Sequence, residues 1–365
     1  MRLVPDRGLW STGPVPPSPP LAAVLEVSGA VLSWPADDPA QPVHIAFTDV
    51  AQADWLWRLL GPAGHTALVA ATTAGPREPV EVDGVEIAAD AVAPLRRLAL
   101  GHWLRRWWPA SRIDGIAELD GALLDAEVAV LTADAEDFLD DDTFDADAAQ
   151  LLRPHAAHLD AVARLGDPRI ADLVARCAEL AADLGVPGFA GASPAAATPA
   201  GHRRDDYALV AGASRGPEAA GVVASGSASI GWGSVPPGIF DAAEHTVRWT
   251  VRADGPAVAH VDADLLGGSS AAGITVRVAN GPITGWGEFD AQGRASLALY
   301  GAAGEPLTES AAWDVRWQDT AVTVGVAAGE SAQVRHRVRQ FARSRLSAPG
   351  ADAFLAEVLA AEADY

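Results

Sequence analysis

The sequence predicts a multidomain α+β protein: an N-terminal α+β unit, a central helical segment, and a C-terminal antiparallel β-sandwich of Ig-like type followed by two helices. Three observations predict it. The chain has 365 residues, more than one ordinary domain holds. Its apolar residues change from three-and-four spacing to strict alternation along the chain. Between the two regimes, residues 186–206 read VPGFAGASPAAATPAGHRRDD, a Pro-, Gly- and Ala-rich stretch that suits a linker.

From the N-terminus, residues 1–20 end in STGPVPPSPP and read as a Pro-rich arm favouring polyproline II. Residues 21–185 read as the α+β unit running into helices. AAVLEVSGAVLSW predicts two strands about Ser28-Gly29, and VHIAFTD a third, with Asp49 capping a helix through Leu60. HTALVAAT reads as another strand. PVEVDGVEIA reads as a hairpin about Asp83-Gly84, a residue pair that suits a type I′ turn. A helix from Asp90 to Trp108 is ended by Pro109. Helical spacing fills 114–185, where Gly166 stops one helix and Asp167-Pro168 starts the next.

Over 207–330 the period is two. Val247, Trp249 and Val251 alternate with Arg248 and Thr250; Ile274, Val276 and Val278 do the same. Trp313, Val315 and Trp317, then Val322, Val324 and Val326, extend the pattern. Such alternation between Gly-rich turns predicts antiparallel sheets with one dry face each, whose tryptophans fill the core. Residues 331–365 return to helical spacing and predict two helices.

Composition bounds the function. A hydrophobic share of 49% against 20% charged is globular. A net charge of −22 makes nucleic acid an unfavoured partner for the surface as a whole. No apolar run is long enough for a membrane span, and MRLVPDRGLW lacks the apolar centre of a secretory signal, so the expected location is cytoplasmic. The single cysteine, Cys177, excludes a disulfide framework and a Cys-rich zinc site, and reads as a small buried hydrophobe. No cofactor is expected. All 26 basic residues are Arg, which fits the codon usage of a GC-rich bacterial genome.

Several residues could carry chemistry. Gly212-Ala213-Ser214-Arg215-Gly216 fits the G-x-S-x-G turn that exposes a nucleophilic serine, with Asp241 and His245 or His260 downstream. The context differs from that turn, since Pro217 and antiparallel strands follow. Pro236-Pro237 predicts a corner, and Asp241 with Glu244 resembles the capping box of one helical turn. His155 and His158 lie three apart, near enough to share a metal, but no third ligand lies at close spacing. DFLDDDTFDAD, residues 137–147, lacks the Gly and Glu of a calcium loop and reads as acids at a helix start.

Charge is segregated. Residues 91–112 hold five Arg and no acid, and 114–147 hold 13 acids and no base. In HWLRRWWP, Arg105 and Arg106 interleave with Trp103, Trp107 and Trp108. Such a helix over 96–112 can bind single-stranded nucleic acid by stacking, or lay its Trp face in a core and pair its Arg with the acidic neighbour. Arg335, Arg337, Arg339, Arg343 and Arg345 crowd a later helix and predict a docking face for an acidic protein or for the acidic middle segment. The function these features predict is a non-enzymatic interaction or adaptor protein of a cytoplasmic bacterial assembly, with a protein partner. A serine hydrolase using Ser214 and a nucleic-acid binder using the Arg–Trp helix are the alternatives.

Overall fold

The computed structural model describes residues 1–73, 75, 78–87, 89–139, 145–189, 221–326 and 329–363. The chain divides into two compact units, the first of 1–108, 117–194 and 333–365, the second of 109–116 and 195–332.

The first unit opens with strands β1 (Arg2–Asp6), β2 (Leu9–Thr12), β3 (Ala22–Val27), β4 (Ala30–Pro35) and β5 (His44–Phe47). The stretch expected to be a Pro-rich arm therefore begins with two paired strands, Leu3 opposite Thr12. The hairpin about Ser28-Gly29 forms as expected, with Val27 opposite Ala30. Gly29 has φ +73, and a Cβ there would lie 2.2 Å from the Asp49 carbonyl oxygen, so only glycine fits. Asp49 caps a 3-10 turn, Val50–Gln52, accepting from the Ala51 N–H at 3.0 Å.

Residues 65–72, expected as a strand, belong instead to α1 (Leu56–Thr72), which bends at Gly61 ahead of Pro62. The Ala-rich text favours helix, and Leu56, Leu59 and Leu68 bury one face. The expected hairpin about Asp83-Gly84 forms only its first arm, β6 (Val80–Glu81), which pairs with β1. The six strands make one antiparallel sheet in the order β3-β4-β5-β2-β1-β6.

Helices α2 (Ala89–Trp107), α3 (Gly121–Leu139), α4 (Asp145–Leu152), α5 (Ala156–Ala163) and α6 (Pro168–Asp183) follow. Trp103 of α2 is buried, and its indole N–H donates to the Pro20 carbonyl at 2.6 Å. Asp167 caps α6, accepting from the Arg169 N–H at 2.8 Å, with Pro168 in its first turn. Cys177 is buried on α6, where desolvation pushes its thiol up to about 12.

The second unit holds β7 (Val222–Ala228), β8 (Val247–Arg252), β9 (Val258–Ala263), β10 (Thr275–Asn280), β11 (Ile283–Glu288), β12 (Arg294–Ala298), α7 (Glu309–Asp314) and β13 (Ala321–Val324). Two antiparallel sheets form, β12-β9-β8-β7 and β11-β10-β13. Their inward residues share one core: Val247, Trp249, Val251 and Val261 from the first, Val276, Val278 and Val324 from the second. The expected antiparallel sheets with a dry interior are thus present. The strand order departs from the Ig-like expectation. No three consecutive strands of a constant-type immunoglobulin sandwich are neighbours in one sheet, whereas among the described residues β7, β8 and β9 are.

Two other expectations are corrected. Trp313 to Trp317 is no strand: Thr308 caps α7, accepting from the Ala311 N–H at 3.3 Å, and Trp317 opens a 3-10 turn. Nor do the tryptophans all fill the core. Trp249 and Trp317 are buried, but Trp286 is 79% exposed and Trp313 54%. Val326, expected to face inward, is also exposed.

The chain ends with α8 (Ala332–Ser347) and α9 (Leu355–Ala363), which belong to the first unit. Of the five Arg expected to form a docking face, three turn inward. Arg335, Arg339 and Arg345 are buried. The Arg345 guanidinium donates to Glu357, which is 0% exposed, with Nη2 to Oε2 at 2.7 Å. The Phe354 N–H donates to the same oxygen at 2.9 Å. Arg337 donates to Asp37 at 2.8 Å.

Removing one partner of a buried ion pair leaves the other charged and dry, which costs about 3–5 kcal/mol. Urea unfolding of Glu357→Gln is expected to show a loss of that order. Arg337→Ala, at an exposed pair, is expected to lose less than about 1 kcal/mol.

Candidate interaction surface

Among the residues with possible catalytic roles, Ser214 lies outside the described residues. Asp241 and His245 are placed, and the structure does not bring them together as a couple. Asp241 is buried, and both carboxylate oxygens are engaged. Oδ1 accepts from the Ser111 hydroxyl at 2.6 Å and the Ala243 N–H at 3.0 Å; Oδ2 accepts from the Arg112 N–H at 2.9 Å. These bonds pin 109–116 into the second unit, where Ser111 also bridges Ile116. The helical turn expected after Asp241 does not form, although the side chain caps the Ala243 N–H as a capping residue does.

His245 is exposed, with φ +62, and its Nδ1 lies 3.2 Å from the Ser227 hydroxyl. His260 likewise meets the Ser296 hydroxyl, at 3.0 Å. The second is a cross-strand polar pair, while His245 reaches Ser227 of β7 from the turn before β8.

His155 and His158 do not share a ligand. His155 meets Asp125 at 2.9 Å and His158 meets Asp120 at 3.0 Å, two different carboxylates of the α3 region. Among the described residues no group of three or more His, Cys, Asp or Glu is placed to hold a metal ion. The centre of the acidic run, 140–144, lies outside the described residues.

The Arg–Trp helix buries Trp103 but leaves Arg105 exposed and Arg106, Trp107 and Trp108 half-buried. Arg105 pairs with Asp125, and Arg106 stacks over Trp107, 4.3 Å from its centroid. With Trp103 buried, the Arg and Trp side chains of α2 are largely engaged within the first unit.

The surface that stands out lies on the second unit. On β11 the side chains alternate, so Gly285 and Gly287 face the core while Trp286 faces solvent. Gly285 is needed there, and Gly287 is closely packed. A Cβ at Gly285 would lie 2.8 Å from the Leu299 side chain, and one at Gly287 2.8 Å from that of Leu297. At Gly285 the Ala298 carbonyl oxygen, also 2.8 Å from such a Cβ, leaves no room for an inward side chain, whereas at Gly287 only the flexible tip of Leu297 stands in the way. Antiparallel pairing sets Arg277 of β10 directly opposite Trp286, and Thr323 of β13 opposite Arg277. Glu288 lies opposite Thr275 in the next row. Arg277 and Glu288 are both exposed, and among the described residues neither side chain makes a hydrogen bond or ion pair.

The outer face of the other sheet is different. Arg248 donates to Asp262 at 2.7 Å and to Asp264 at 2.8 Å, and Arg294 meets Asp262 at 3.3 Å. That face answers its own charges. The β11-β10-β13 face leaves an aromatic ring, a cation and an anion side by side with open bonding capacity. The signal was in the sequence: ITGWGE puts glycine on the face where a core strand needs bulk, and Trp on the other.

No protein-family model, no curated protein and no solved structure matches the chain.

Asp241→Ala strips a buried set of donors of their acceptor and is expected to destabilise the second unit by about 3 kcal/mol, read by urea unfolding. His245→Asn keeps a residue that tolerates positive φ and is expected to change stability by less than about 0.5 kcal/mol.

Proposed function

We propose that the chain is a non-enzymatic interaction protein, an adaptor that meets a protein partner through the outer face of the β11-β10-β13 sheet. The exposure of Trp286 beside Arg277 carries this reading. Trp and Arg are the residues most enriched where binding energy concentrates, and an indole covers about 150–250 Å2 when buried. A partner that suits the face offers an apolar recess for the ring and a carboxylate for the Arg277 guanidinium. Glu288 discriminates against partners that place an acid one row away.

The proposed location is the cytoplasm of a bacterium. Cys177, a lone thiol with no disulfide, suits a reducing compartment. Among the described residues no helix is long and apolar enough to cross a membrane.

Affinity capture from native lysate at low salt, with the full chain as bait, tests the proposal. Trp286→Ala is expected to weaken the captured complex by about 30-fold, the equivalent of about 2 kcal/mol. Arg248→Ala, on the other sheet, is expected to leave it intact. Retention of the same partner by Trp286→Ala, or a wild-type chain that stays alone, overturns the proposal.

A further inference from the structure

A cleft of about 1020 Å3 opens in the first unit, independent of the surface above. Its walls come from the sheet, the 39–43 loop, Val85 to Ile87, one side of α2, and the loop before α9. Trp34, Val43, Val85 and Val92 give it buried apolar walls. The size lies at the upper end of the range for sites that enclose a small organic molecule.

One polar group in this lining is under-served. Arg96 carries five N–H donors on a side chain that is only 16% exposed. Among the described residues its one ion pair is with Asp352, at 3.6 Å, too long for a hydrogen bond. Asp352 is shared with Arg345, at 3.3 Å. The Arg96 Nε is buried without a partner. Desolvation draws the guanidinium below its ordinary range, as expected for a cation held away from water with too few acceptors. Arg97, beside it, also has a buried Nε without a partner, but it has mates that Arg96 lacks: it pairs with Glu127, donates to the Ala353 carbonyl and stacks over Phe354. The amine of Met1, also in the lining, donates to the Val82 and Val85 carbonyls at 2.9 and 2.8 Å.

We infer that this cleft binds a small monocarboxylate with an apolar body, its carboxylate on Arg96 and its body against the Trp34 wall. A carboxylate matches the guanidinium fork with two parallel bonds, which Asp352 at its present distance does not supply. The rim argues for a single negative charge. Glu86 and Asp90 are exposed there and would repel a phosphate ester or a dicarboxylate. The apolar walls argue for an aliphatic or aromatic body over a sugar, whose hydroxyls would find few partners.

The probe is decanoate, titrated into the full-length protein by calorimetry, with decanol as its uncharged counterpart. Wild type is expected to bind one decanoate saturably, with decanol at least about tenfold weaker. Arg96→Met keeps the bulk and removes the fork, and is expected to weaken decanoate at least about tenfold while leaving decanol unchanged. Ala93→Trp projects into the cleft from an exposed position of α2 and is expected to abolish binding of both, which keeps the test decisive if Arg96→Met fails to fold. No saturable decanoate binding up to about 1 mM, equal affinity for decanol, or binding undisturbed by either substitution overturns the inference.

Discussion

The close approach of β11 to the end of β12 at Gly285 is the constraint on which the functional reading depends. Gly285 permits it by having no side chain, since a Cβ there would lie 2.8 Å from the Ala298 carbonyl oxygen and from Leu299, and Gly287 lets the Leu297 tip settle against the strand. Once those glycines face inward, the alternation of a strand leaves Trp286 no direction but outward. An exposed indole is unfavourable for an isolated chain, since a ring of that size contributes most when removed from water. Beyond Ile283 the strand has glycine on its core side and Trp on its solvent side, the reverse of what stability alone favours. Such a reversal is what a contact surface requires.

The arginines supply the complementary half of the argument. The chain carries them in dense runs, which invites a reading as docking faces. In the fold they turn inward or pair locally. Arg345 meets Glu357 in a dry site, Arg337 meets Asp37, and Arg105 meets Asp125. Glu127 extends the network: it pairs with Arg97, and its other oxygen accepts from the Leu355 N–H at 2.8 Å, closing the start of α9. Burial pushes the Glu127 carboxyl up from its ordinary value, against the pull of that N–H and of Arg97. The helices at the end of the chain are thereby tied to the first unit by groups with specific mates, a device that favours one arrangement over others more than it adds stability.

Much of this was legible from residue order alone. Period-two alternation gave β8 and β10 their inward valines, the Ser28-Gly29 pair placed a hairpin, and Gly166 with Asp167-Pro168 placed a helix boundary. What was not legible had two causes. Short apolar runs do not distinguish strand from helix, so HTALVAAT, with its Ala content, became part of α1, and the alternation of Trp313 and Trp317 was overridden by the Thr308 cap. Partnerships distant in sequence leave no local trace. Nothing near Arg337 announces Asp37, and nothing near Asp241 announces Ser111, 130 residues earlier, as its hydrogen-bond donor. The roles expected of Asp241 and the Arg helix changed for that reason.

The central claim is that Trp286 stands open to water in the free protein and is the group a partner covers. Fluorine NMR of protein labelled with 5-fluorotryptophan, its Trp286 signal assigned by Trp286→Phe, reads this directly. The account predicts a signal with a clear solvent isotope shift in the isolated chain, lost when the captured partner is added. A Trp286 signal already shielded in the isolated chain, or one that the partner leaves unmoved, contradicts it.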